Sequence, residues 1–477
     1  MLTPLTELTV LQPYVWLGDP HMWTDAKSRL SIRFAMYESL VRYGERGDYG
    51  PALAQAWRLE ADARTWTFNL RDDVLFHNGD TLKAGDVVAT LGRACDPEMV
   101  GELGTKGLYN SYLGGAVFEA LDDRTVRVVT PEPMADLLDL LVRLPIVPQR
   151  ALTDLAHRPV GSGPYRFVEA EGDRRVVMQR FEGYWGVQPP VEKLYWRAES
   201  NVERRIDALL AGRADIITEV GLEGKQLIET TGQADVVALD SSLCVIFLCN
   251  ARSGVCADKR VRQALNYALD VPQIVQEVKG GAARPLNGPL TPKHFGYDPL
   301  TRPFPYDPDK ARSLLAEAGY AGGLDLILDV PTVHPDEAFS LAQQLAEQYA
   351  QIGITTQIKT FSDRPAYAEM VKSKQIHDAC CFDSSPLSTF RCLREKFHSG
   401  MAGPWWQGYS NPQVDALLEQ AWVTLDDARR QELYRRAYRM MRDDAPWIFL
   451  YSPTHFWGVG PRARGWTVEI DELVRLA

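Results

Sequence analysis

The chain of 477 residues lacks several features that would define its class. No run approaches the roughly 18–20 apolar residues that cross a bilayer. The formal net charge of −11 opposes a nucleic-acid partner, because such proteins display a basic face. Neither a basic and apolar export signal nor a lipid-attachment cysteine is found near residue 1. We therefore expect either that an export signal is missing from this chain or that the protein stays in the cytoplasm.

Cysteine and histidine are few and scattered. The chain has seven cysteines and eight histidines, without a C-x-x-C, H-x-x-x-H or H-E-x-x-H arrangement. An odd number of dispersed cysteines argues against a disulfide framework, and the lack of close ligand pairs argues against a metal site. We expect buried free thiols, no metal and no cofactor.

Motifs for catalysis are also missing. The stretch from Gly221 to Lys225 is too short for a phosphate-binding loop and lacks its hydroxyl residue. Gly161-Ser162-Gly163 does not have the G-x-S-x-G spacing of a nucleophile elbow, and Pro164 follows it. No set of nucleophile, base and orienting residue can be assembled. The chain is predicted to be a binding protein and not an enzyme.

Helix and strand signals alternate along the whole chain, which predicts an α/β fold. A single core stops growing at roughly 250–300 residues, so at least two lobes are expected. Residues 202–213 and 260–269 have apolar side chains at helical spacing, and Asp258 is a plausible helix cap. The strand-like ADIITEV at 214–220 follows the first of these helices.

The second half of the chain has a clearer pattern. A strand at 324–330, a helix at 335–352 and a strand at 354–360 predict a β-α-β unit with a right-handed crossover. A helix is predicted from residue 308, with proline at its start. The stretch 412–443 is predicted to form two helices with a break near Thr424.

Short phrases that resemble a known family follow one another from about residue 10 to residue 455. They are Asp19-Pro20-His21, Met36 to Val41, Pro51 to Trp57, Trp66 to Val74, Phe76 to Gly79, Ala84 to Val88, Gly161 to Tyr165, Tyr184 to Gly186, Arg260 to Ala268, and Gly408 to Pro412 with Val414-Asp415. Each phrase alone is weakly specific, but their order is highly specific. Together they resemble the family 5 extracytoplasmic solute-binding proteins, which include peptide-, nickel- and opine-binding members.

This resemblance implies a two-lobed periplasmic-binding-protein-like fold of type II, of the large cluster C kind, with a hinge and a central cleft. It implies a monomeric substrate-binding component of an ABC importer, periplasmic or extracytoplasmic, which delivers a small solute to a membrane permease. The expected division is lobe I at 1–243 with an extra subdomain at about 50–160, lobe II at 244–446, and a return to lobe I at 447–477. The apolar segments 243–249 and 447–451 are the expected crossings.

Candidate ligand contacts follow from the same resemblance. An Asp in a lobe II loop holds the α-amino group of peptides in this family, and Asp383 stands in that loop, at 382–390. The D-P-D type sequence of peptide binders is absent here, so Asp383 is either a ligand contact or a loop cap. In lobe I, Met22, Trp23 and Arg143 fall near stretches that line the cleft in relatives. Arg143 could instead pair with Asp139.

The segment 391–409 combines cations with aromatic side chains. Its candidate contacts are Arg391, Arg394 and His398, together with Trp405, Trp406 and Tyr409. Guanidinium groups bind carboxylates in a fork and indoles stack on planar groups, which favours an anionic solute. The alternative is a solvated basic helix face with the Trp pair in the core of the lobe. His398 stands twelve residues after Pro386, as in the nickel-binding branch, which leaves a nickel chelate open as the solute.

Three functions therefore remain open. The first is an importer component that captures a small polar or anionic solute, such as a peptide, an opine or an amino-acid-like molecule. The second is an importer component for a nickel chelate. The third is a cytoplasmic ligand-sensing module of the same fold. The chain begins at the first family strand and leaves no room for a winged-helix segment, which argues against the sensor.

Overall fold

The chain divides into two compact units. The computed structural model describes residues 6–44, 47–99, 101, 106–333, 335–384 and 386–476. Unit 1 comprises Met1–Leu239 and His455–Ala477, and unit 2 comprises Asp240–Thr454. The first boundary lies four residues before the predicted end of lobe I at 243, and the second lies eight residues after the predicted return at 447.

Unit 1 contains a mixed sheet, a smaller antiparallel sheet and helices that cover them. Its strands are β1 (Glu7–Gln12), β2 (Val41–Tyr43), β3 (Tyr49–Pro51), β4 (Ala54–Leu59), β5 (Thr65–Leu70), β6 (Val117–Ala120), β7 (Thr125–Val129), β8 (Tyr165–Glu171), β9 (Arg175–Arg180), β10 (Lys193–Ala198), β11 (Ile216–Ile217) and β12 (Asp235–Asp240). Its helices are α1 (Lys27–Met36), α2 (Ala84–Ala94), α3 (Leu108–Leu113), α4 (Leu138–Leu141), α5 (Val202–Leu210) and α6 (Leu222–Thr231), with short 3-10 turns at Gln149–Ala151 and Pro461–Ala463.

The mixed sheet of unit 1 is built around β1. This strand pairs in parallel with both β10 and β11, and β10 continues antiparallel to β9 and then β8. The smaller sheet has the order β4-β5-β7-β6 and lies within the stretch predicted as an extra subdomain. Trp66 and Phe68 of β5 stand opposite Val128 and Val126 of β7, and all four are buried. Alternate residues of a strand share one face, so these pairs form the apolar side of the smaller sheet.

Unit 2 contains a second mixed sheet covered by helices. Its strands are β13 (Cys244–Cys249), β14 (Ala283–Pro285), β15 (Leu324–Pro331), β16 (Ile354–Phe361), β17 (Ala379–Ser384) and β18 (Trp447–Val459). Its helices are α7 (Lys259–Tyr267), α8 (Val271–Lys279), α9 (Pro308–Glu317), α10 (Ala338–Ala350), α11 (Arg364–Lys372), α12 (Thr389–Lys396), α13 (Pro412–Trp422) and α14 (Asp427–Asp444), with a 3-10 turn at Val255–Ala257.

The strand order in unit 2 is β16-β15-β17-β13-β18. Strand β15 pairs in parallel with β16 and β17, whereas β13 is antiparallel to both β17 and β18. Helix α10 connects β15 to β16, which confirms the predicted β-α-β unit.

The predicted helices are present with small changes at their ends. Helices α5, α7 and α9 occupy the predicted positions, and the Asp258 side chain caps α7 by accepting the Arg260 N–H at 2.8 Å. Helix α13 ends at Trp422 and α14 begins at Asp427, so the predicted break is confirmed. The strand predicted at 214–220 is shorter and covers only β11.

Strand β18 is longer than the apolar segment predicted at 447–451. Its first residues pair with β13, with Trp447 opposite Leu248, and its last residues pair with β11, with Val459 opposite Ile216. Residues 447–454 consequently belong to unit 2, although the sequence predicted that they return to lobe I. The ladder to β13 explains the difference, because hydrogen bonding and not apolarity decides which sheet a strand joins.

Burial of the cysteines agrees with the prediction of buried free thiols. Six of the seven are buried and Cys95 is half-buried. Among the helices in the described part of the chain, none is long and apolar enough to cross a membrane.

The Gly161-Ser162-Gly163 phrase is a packing element. Gly163 donates its N–H to the Met36 carbonyl at 2.9 Å, and the His77 N–H donates to the Gly161 carbonyl at 2.8 Å. A Cβ added at Gly161 would lie 2.1 Å from the Met36 carbonyl oxygen. The main chain of this loop therefore approaches the end of α1 too closely for any side chain.

Glu38 ties the segment after α1 to the Tyr184-Trp185-Gly186 phrase. The Tyr184 hydroxyl donates to Glu38 Oε1 at 3.0 Å, and the Trp185 indole N–H donates to Oε2 at 2.5 Å. Arg71 lies over the Trp185 ring at 4.1 Å. Burial raises the pKa of Glu38 to about 7, although these two hydrogen bonds and the charges of Arg42 and Arg71 act in the opposite direction.

We expect Gly161→Ala to lower the free energy of unfolding by about 1–3 kcal/mol, because the new methyl group overlaps the Met36 carbonyl. Gly92→Ala is the matched control, since α2 leaves that position open. It should raise the free energy of unfolding by about 0.5–1 kcal/mol through helix propensity. Urea unfolding followed by circular dichroism measures both. Equal stability of the two variants would contradict the close approach.

The raised pKa of Glu38 predicts a pH dependence. The folded protein holds this proton up to about pH 7, whereas the unfolded chain loses it near the ordinary value of 4.5. The contribution to stability is therefore complete at low pH and is lost as the pH rises through 7, by about 2–3 kcal/mol. Between pH 5 and 8, the wild type should lose stability relative to Glu38→Gln, as measured by urea unfolding. Glu98→Gln at an exposed position should show no such difference.

Candidate functional site

The segment that follows β1 in unit 1 begins where parallel strands end. Strands β1, β10 and β11 run in the same direction, so their carboxyl ends meet at one edge of the sheet. Ligands of open α/β sheets bind outside the carboxyl ends of such strands. The segment after β1 carries Met22 and Trp23, two of the predicted contacts. This edge is the candidate site of unit 1.

Asp19 and His21 fix the segment after β1. Arg93 of α2 donates to Asp19 Oδ1 at 3.0 Å and also to His21 Nδ1 at 2.8 Å. Arginine only donates, so His21 accepts through Nδ1 and donates from Nε2 to the Pro145 carbonyl at 3.1 Å. Burial, together with the charge of Arg93, lowers the pKa of His21 to about 3. A neutral His21 with both nitrogens engaged holds the loop and is not available to a metal.

Met22 and Trp23 are both buried in unit 1. The Trp23 ring meets Tyr109 of α3 edge-on at 5.3 Å, and its indole N–H donates to Asp25 Oδ2 at 3.4 Å. Trp23 is therefore held in one orientation by an aromatic neighbour and a carboxylate.

Arg143 is 5% exposed and follows α4. Its Cζ lies 6.0 Å from the centre of the Tyr43 ring. Within the described residues, its Nη1 atom has no hydrogen-bond partner. Burial opposes the charge, but the nearby Tyr43, Asp25 and Asp471 raise the pKa of Arg143. The Asp139 carboxylate, the partner considered from sequence, accepts the Tyr49 hydroxyl.

Arg33 is a second buried guanidinium, and the sequence did not single it out. It is 6% exposed on α1, and its Nη2 atom has no hydrogen-bond partner in the part of the chain that the structure describes. Burial lowers the pKa of Arg33 to about 10, and the charge of Arg143 acts in the same direction. The signal in the sequence was its spacing: Arg33 stands three residues from both Leu30 and Met36, which form the buried face of α1.

A cavity of about 120 Å³ lies within unit 1 beside Arg143. It is close in size to a cavity that accepts benzene, roughly 150 Å³. The hydroxyl of Tyr37, which lines it, is buried without a hydrogen-bond partner among the described residues. Charged and aromatic residues complete the lining, among them Glu38, Arg42, Tyr43, Asp471 and Arg475. The cavity can hold a small polar group.

Polar residues of unit 2 collect at the carboxyl ends of parallel strands, here β15, β16 and β17. Asp383 is half-buried and belongs to β17, opposite Val245 of β13, so it stands on a strand and not in a loop. Arg364 begins α11 and lies over the Phe382 ring at 5.2 Å. Ser385, which the sequence placed in the same loop, lies outside the described residues.

Helix α12 carries the cations that the sequence singled out. Arg391 is 3% exposed and donates from Nε to Glu395 Oε1 at 3.0 Å. Lys396 is also buried and donates to the Ser384 hydroxyl at 2.6 Å. Arg394 is half-buried, and its Cζ lies 5.2 Å from the centre of the Trp422 ring. The helix is therefore not a solvated basic face, which was the alternative considered from sequence.

His398 uses both ring nitrogens within unit 2. The backbone N–H of Met401 donates to Nδ1 at 3.1 Å, so Nε2 carries the proton and faces Glu419 Oε1 at 3.3 Å. The ring also lies 5.0 Å from that of Trp422. No group of three metal-ligating side chains occurs among the described residues, and His334 lies outside them. His398 is therefore placed to pack and to bond locally.

The predicted aromatic contacts hold the segment that follows α12. The Trp405 ring lies 4.9 Å from Phe382, and the Trp406 indole N–H donates to the Tyr409 carbonyl at 2.6 Å. The Tyr409 hydroxyl donates to Asp444 Oδ2 at 2.7 Å. Lys374 donates to the carbonyls of residues 403 and 404, both at 2.7 Å. Both Trp residues remain half-buried, so part of each is exposed.

Comparison with known proteins identifies the family. The model of the bacterial extracellular solute-binding proteins, family 5, middle part, matches residues 48–430. The glutathione-binding protein GsiB of Pectobacterium atrosepticum is 30% identical over 455 residues, which cover 91% of this chain and 85% of that protein. Two solved structures have the same fold. HbpA2 of Haemophilus parasuis has a TM-score of 0.86 at 21% identity and 98% coverage of both chains. DppA of Helicobacter pylori, in complex with the peptide STSA, has a TM-score of 0.79 at 24% identity, covering 98% of this chain and 96% of that one.

These comparisons confirm the fold and the class of function expected from the sequence. The matching structures are two-lobed periplasmic binding proteins, and members of the family bind small solutes for ABC permeases outside the cytoplasm. The matching proteins serve transport and are not enzymes. The chain thus belongs to the bacterial extracellular solute-binding proteins of family 5 and is the substrate-binding component of an ABC importer.

Proposed function

We propose that this protein captures a small solute with at least one carboxylate group, of about the size of a short peptide, and delivers it to a membrane permease. Glutathione is the first molecule to test, because GsiB relatives are named as glutathione-binding proteins and glutathione carries two carboxylates. The protein acts outside the cytoplasm and as a monomer.

The observation that carries the proposal is the pair of buried arginines in unit 1. Arg33 and Arg143 each have a guanidinium nitrogen without a hydrogen-bond partner among the described residues. A buried charge whose donors are incompletely satisfied is costly, and the like charge of the second arginine adds to that cost. A carboxylate binds guanidinium groups through charge-assisted hydrogen bonds and would satisfy both nitrogens.

The neighbours of this pair suit the remainder of a peptide-like solute. Tyr43 and Tyr109 offer aromatic faces, and Trp23 is fixed beside Asp25. The carboxylate of Asp25 lies close enough to Arg143 to raise its pKa. The negative charge of Asp25 also suits an ammonium group of the solute. We propose Met22 and Trp23 as apolar contacts and Arg143, with Arg33, as the carboxylate anchor.

In unit 2, we propose Asp383, Arg391 and the half-buried Trp405 and Trp406 as further contacts. We also propose Arg394, His398 and Tyr409 as contacts of smaller weight. Arg394 lies over the Phe390 and Trp422 rings, His398 faces Glu419, and the Tyr409 hydroxyl donates to Asp444. No observation favours a nickel chelate, since the ring nitrogens of His398 are both engaged. An anionic organic solute fits these residues better than a metal complex.

The test of the proposal is the identity of the solute. Mass spectrometry of small molecules released from gently purified protein should show a compound with a carboxylate group. Calorimetric titration with reduced glutathione, and with glutathione whose carboxyl groups are amidated, then measures the part of the carboxylates. A released solute without any acidic group would contradict the proposal.

We expect Arg143→Met to lower the affinity for the solute identified in this way by about 30-fold or more, because truncating a buried charge partner costs about 2–5 kcal/mol of binding free energy. The same change removes a charge that Tyr43, Asp25 and Asp471 stabilise, so the melting temperature of the solute-free protein should fall, and this shift is measured separately from the affinity. Arg150→Met on the exposed turn is the control and should change neither quantity. Wild-type affinity in Arg143→Met would refute the carboxylate anchor.

A second prediction separates the two arginines of α12. Arg391→Met combined with Glu395→Gln removes the buried ion pair without leaving an unpaired carboxylate. The double variant should lower the affinity for the solute by more than tenfold. Arg394→Met, one turn along the same helix, should change the binding free energy by less than about 0.5 kcal/mol. Calorimetric titration of both variants measures the two losses of affinity. Equal losses would indicate a general effect of the helix and not a contact by Arg391.

A further inference from the structure

The loop between α12 and α13 contains only turns and bends, and it carries two of the proposed aromatic contacts, Trp405 and Trp406. These two residues belong to a turn in which the Trp406 N–H donates to the Gly403 carbonyl at 3.1 Å. Gly403 lies against α12, since a Cβ added there would be 2.4 Å from the Glu395 carbonyl oxygen. The position of this turn therefore decides where both indoles lie.

A lysine that follows a different helix, α11, holds this turn. Lys374 donates from Nζ to the carbonyls of Gly403 and Pro404, both at 2.7 Å. These carbonyls belong to the first and second residues of the turn, so one ammonium group restrains both peptide units. Hydrogen bonds from a charged donor are shorter and stronger than those from a neutral one. The Lys374 side chain thus restrains the segment that presents the two indoles.

The backbone conformation at Lys374 favours a different residue. Helix α11 ends at Lys372, and Lys374 follows with a φ of +62°. Its N–H donates to the Val371 carbonyl at 3.1 Å, and the next N–H donates to the Met370 carbonyl at 3.0 Å. Glycine is the usual residue at such a helix end, because a side chain is unfavourable at positive φ. The chain carries a lysine there instead, and backbone strain of this kind points to a function of the side chain.

The residue after the turn is held by separate hydrogen bonds. The Gln407 side chain donates to the Val371 carbonyl at 2.8 Å, and the Ala251 N–H donates to the Gln407 carbonyl at 2.8 Å. These bonds do not involve the Lys374 ammonium group. Its removal should therefore loosen residues 403–406 without unfolding the rest of the loop.

We propose that Lys374 is a positioning residue, which fixes the turn from Gly403 to Trp406 and so holds both indoles in the orientation that the solute meets. This role rests on the proposed function, because Trp405 and Trp406 are solute contacts only in that proposal. Lys374 acts through the turn and does not itself need to touch the solute.

Hydrogen exchange of the solute-free protein tests the restraint directly. Lys374→Met keeps a long side chain but removes its donors. The backbone amides of Trp405 and Trp406 should then exchange about tenfold faster than in the wild type, because two charge-assisted hydrogen bonds are lost. Lys372→Met, at the last residue of α11, is the matched control and should leave this exchange unchanged. Wild-type exchange in Lys374→Met would overturn the proposal.

Calorimetric titration with reduced glutathione gives the second readout. Lys374→Met should lower the affinity about tenfold, and Lys374→Arg should restore it to within about threefold of the wild type, because a guanidinium group can also donate to two carbonyls. Lys374→Gly suits the backbone at positive φ but has no donors, so its affinity should fall as in Lys374→Met. Wild-type affinity in Lys374→Gly would show that Lys374 only ends the helix, and the positioning role would be wrong.

The pH dependence of the affinity gives a third readout. Burial lowers the pKa of Lys374 to about 8, and the charges of Arg252 and Lys372 act in the same direction. The ammonium group is therefore lost as the pH rises through 8, and the neutral amine donates more weakly. The ratio of the wild-type affinity to that of Lys374→Met should fall between about pH 7 and 9, and the titration of glutathione itself cancels in this ratio. A constant ratio would contradict the part of the ammonium group.

The positioning role and the proposed function can fail separately. If the wild-type protein does not bind glutathione, that result counts against the proposed function, and the exchange of the Trp405 and Trp406 amides still decides whether Lys374 holds the turn. If glutathione binds equally well to the wild type and to Lys374→Met, the positioning role is wrong and the proposed function stands.

Discussion

Parallel pairing of a few central strands determines where the segments that carry Trp23 and Asp383 leave the sheet of each unit. In unit 1, β1 pairs in parallel with β10 and β11, and in unit 2, β15 pairs in parallel with β16 and β17. Such strands end at a common edge, and the segments that leave them carry backbone groups and side chains without further sheet partners. Trp23 follows one such edge and Asp383 stands at the other. The positions of these two candidate contacts therefore depend on this pairing.

Buried charge is the second constraint on the structure. In unit 2, the buried Arg391 donates to Glu395 and the buried Lys396 donates to the Ser384 hydroxyl. In unit 1, Arg33 and Arg143 each keep a guanidinium nitrogen without a partner among the described residues. Proteins rarely leave such groups unsatisfied unless a ligand or water completes them. Arg33 and Arg143 are also close enough for the charge of one to lower the pKa of the other, which is why we place the proposed carboxylate anchor in unit 1.

A buried residue is not by itself a ligand contact, as the aromatic and histidine side chains demonstrate. Tyr409 bonds Asp444, His398 bonds Met401 and Glu419, and the Trp406 indole bonds the Tyr409 carbonyl. Each of these groups stabilises the segment in which it stands. Residues held by such local hydrogen bonds keep their positions whatever the solute is. Groups with unsatisfied hydrogen-bond donors, such as the guanidinium groups of Arg33 and Arg143, can then contact different solutes.

The sequence alone determined the class of fold and the order of the elements, because alternation and helical spacing are local properties. The β15-α10-β16 unit, the Asp258 cap and the break between α13 and α14 were all predicted from short stretches. Only the tertiary structure decided which sheet residues 447–454 join, since that depends on distant hydrogen bonds to β13. Likewise, helical spacing places Arg33 on the buried face of α1, but only folding brings it near Arg143, more than a hundred residues away along the chain. The distant partners of a charge are properties of the packed molecule, and no local pattern contains them.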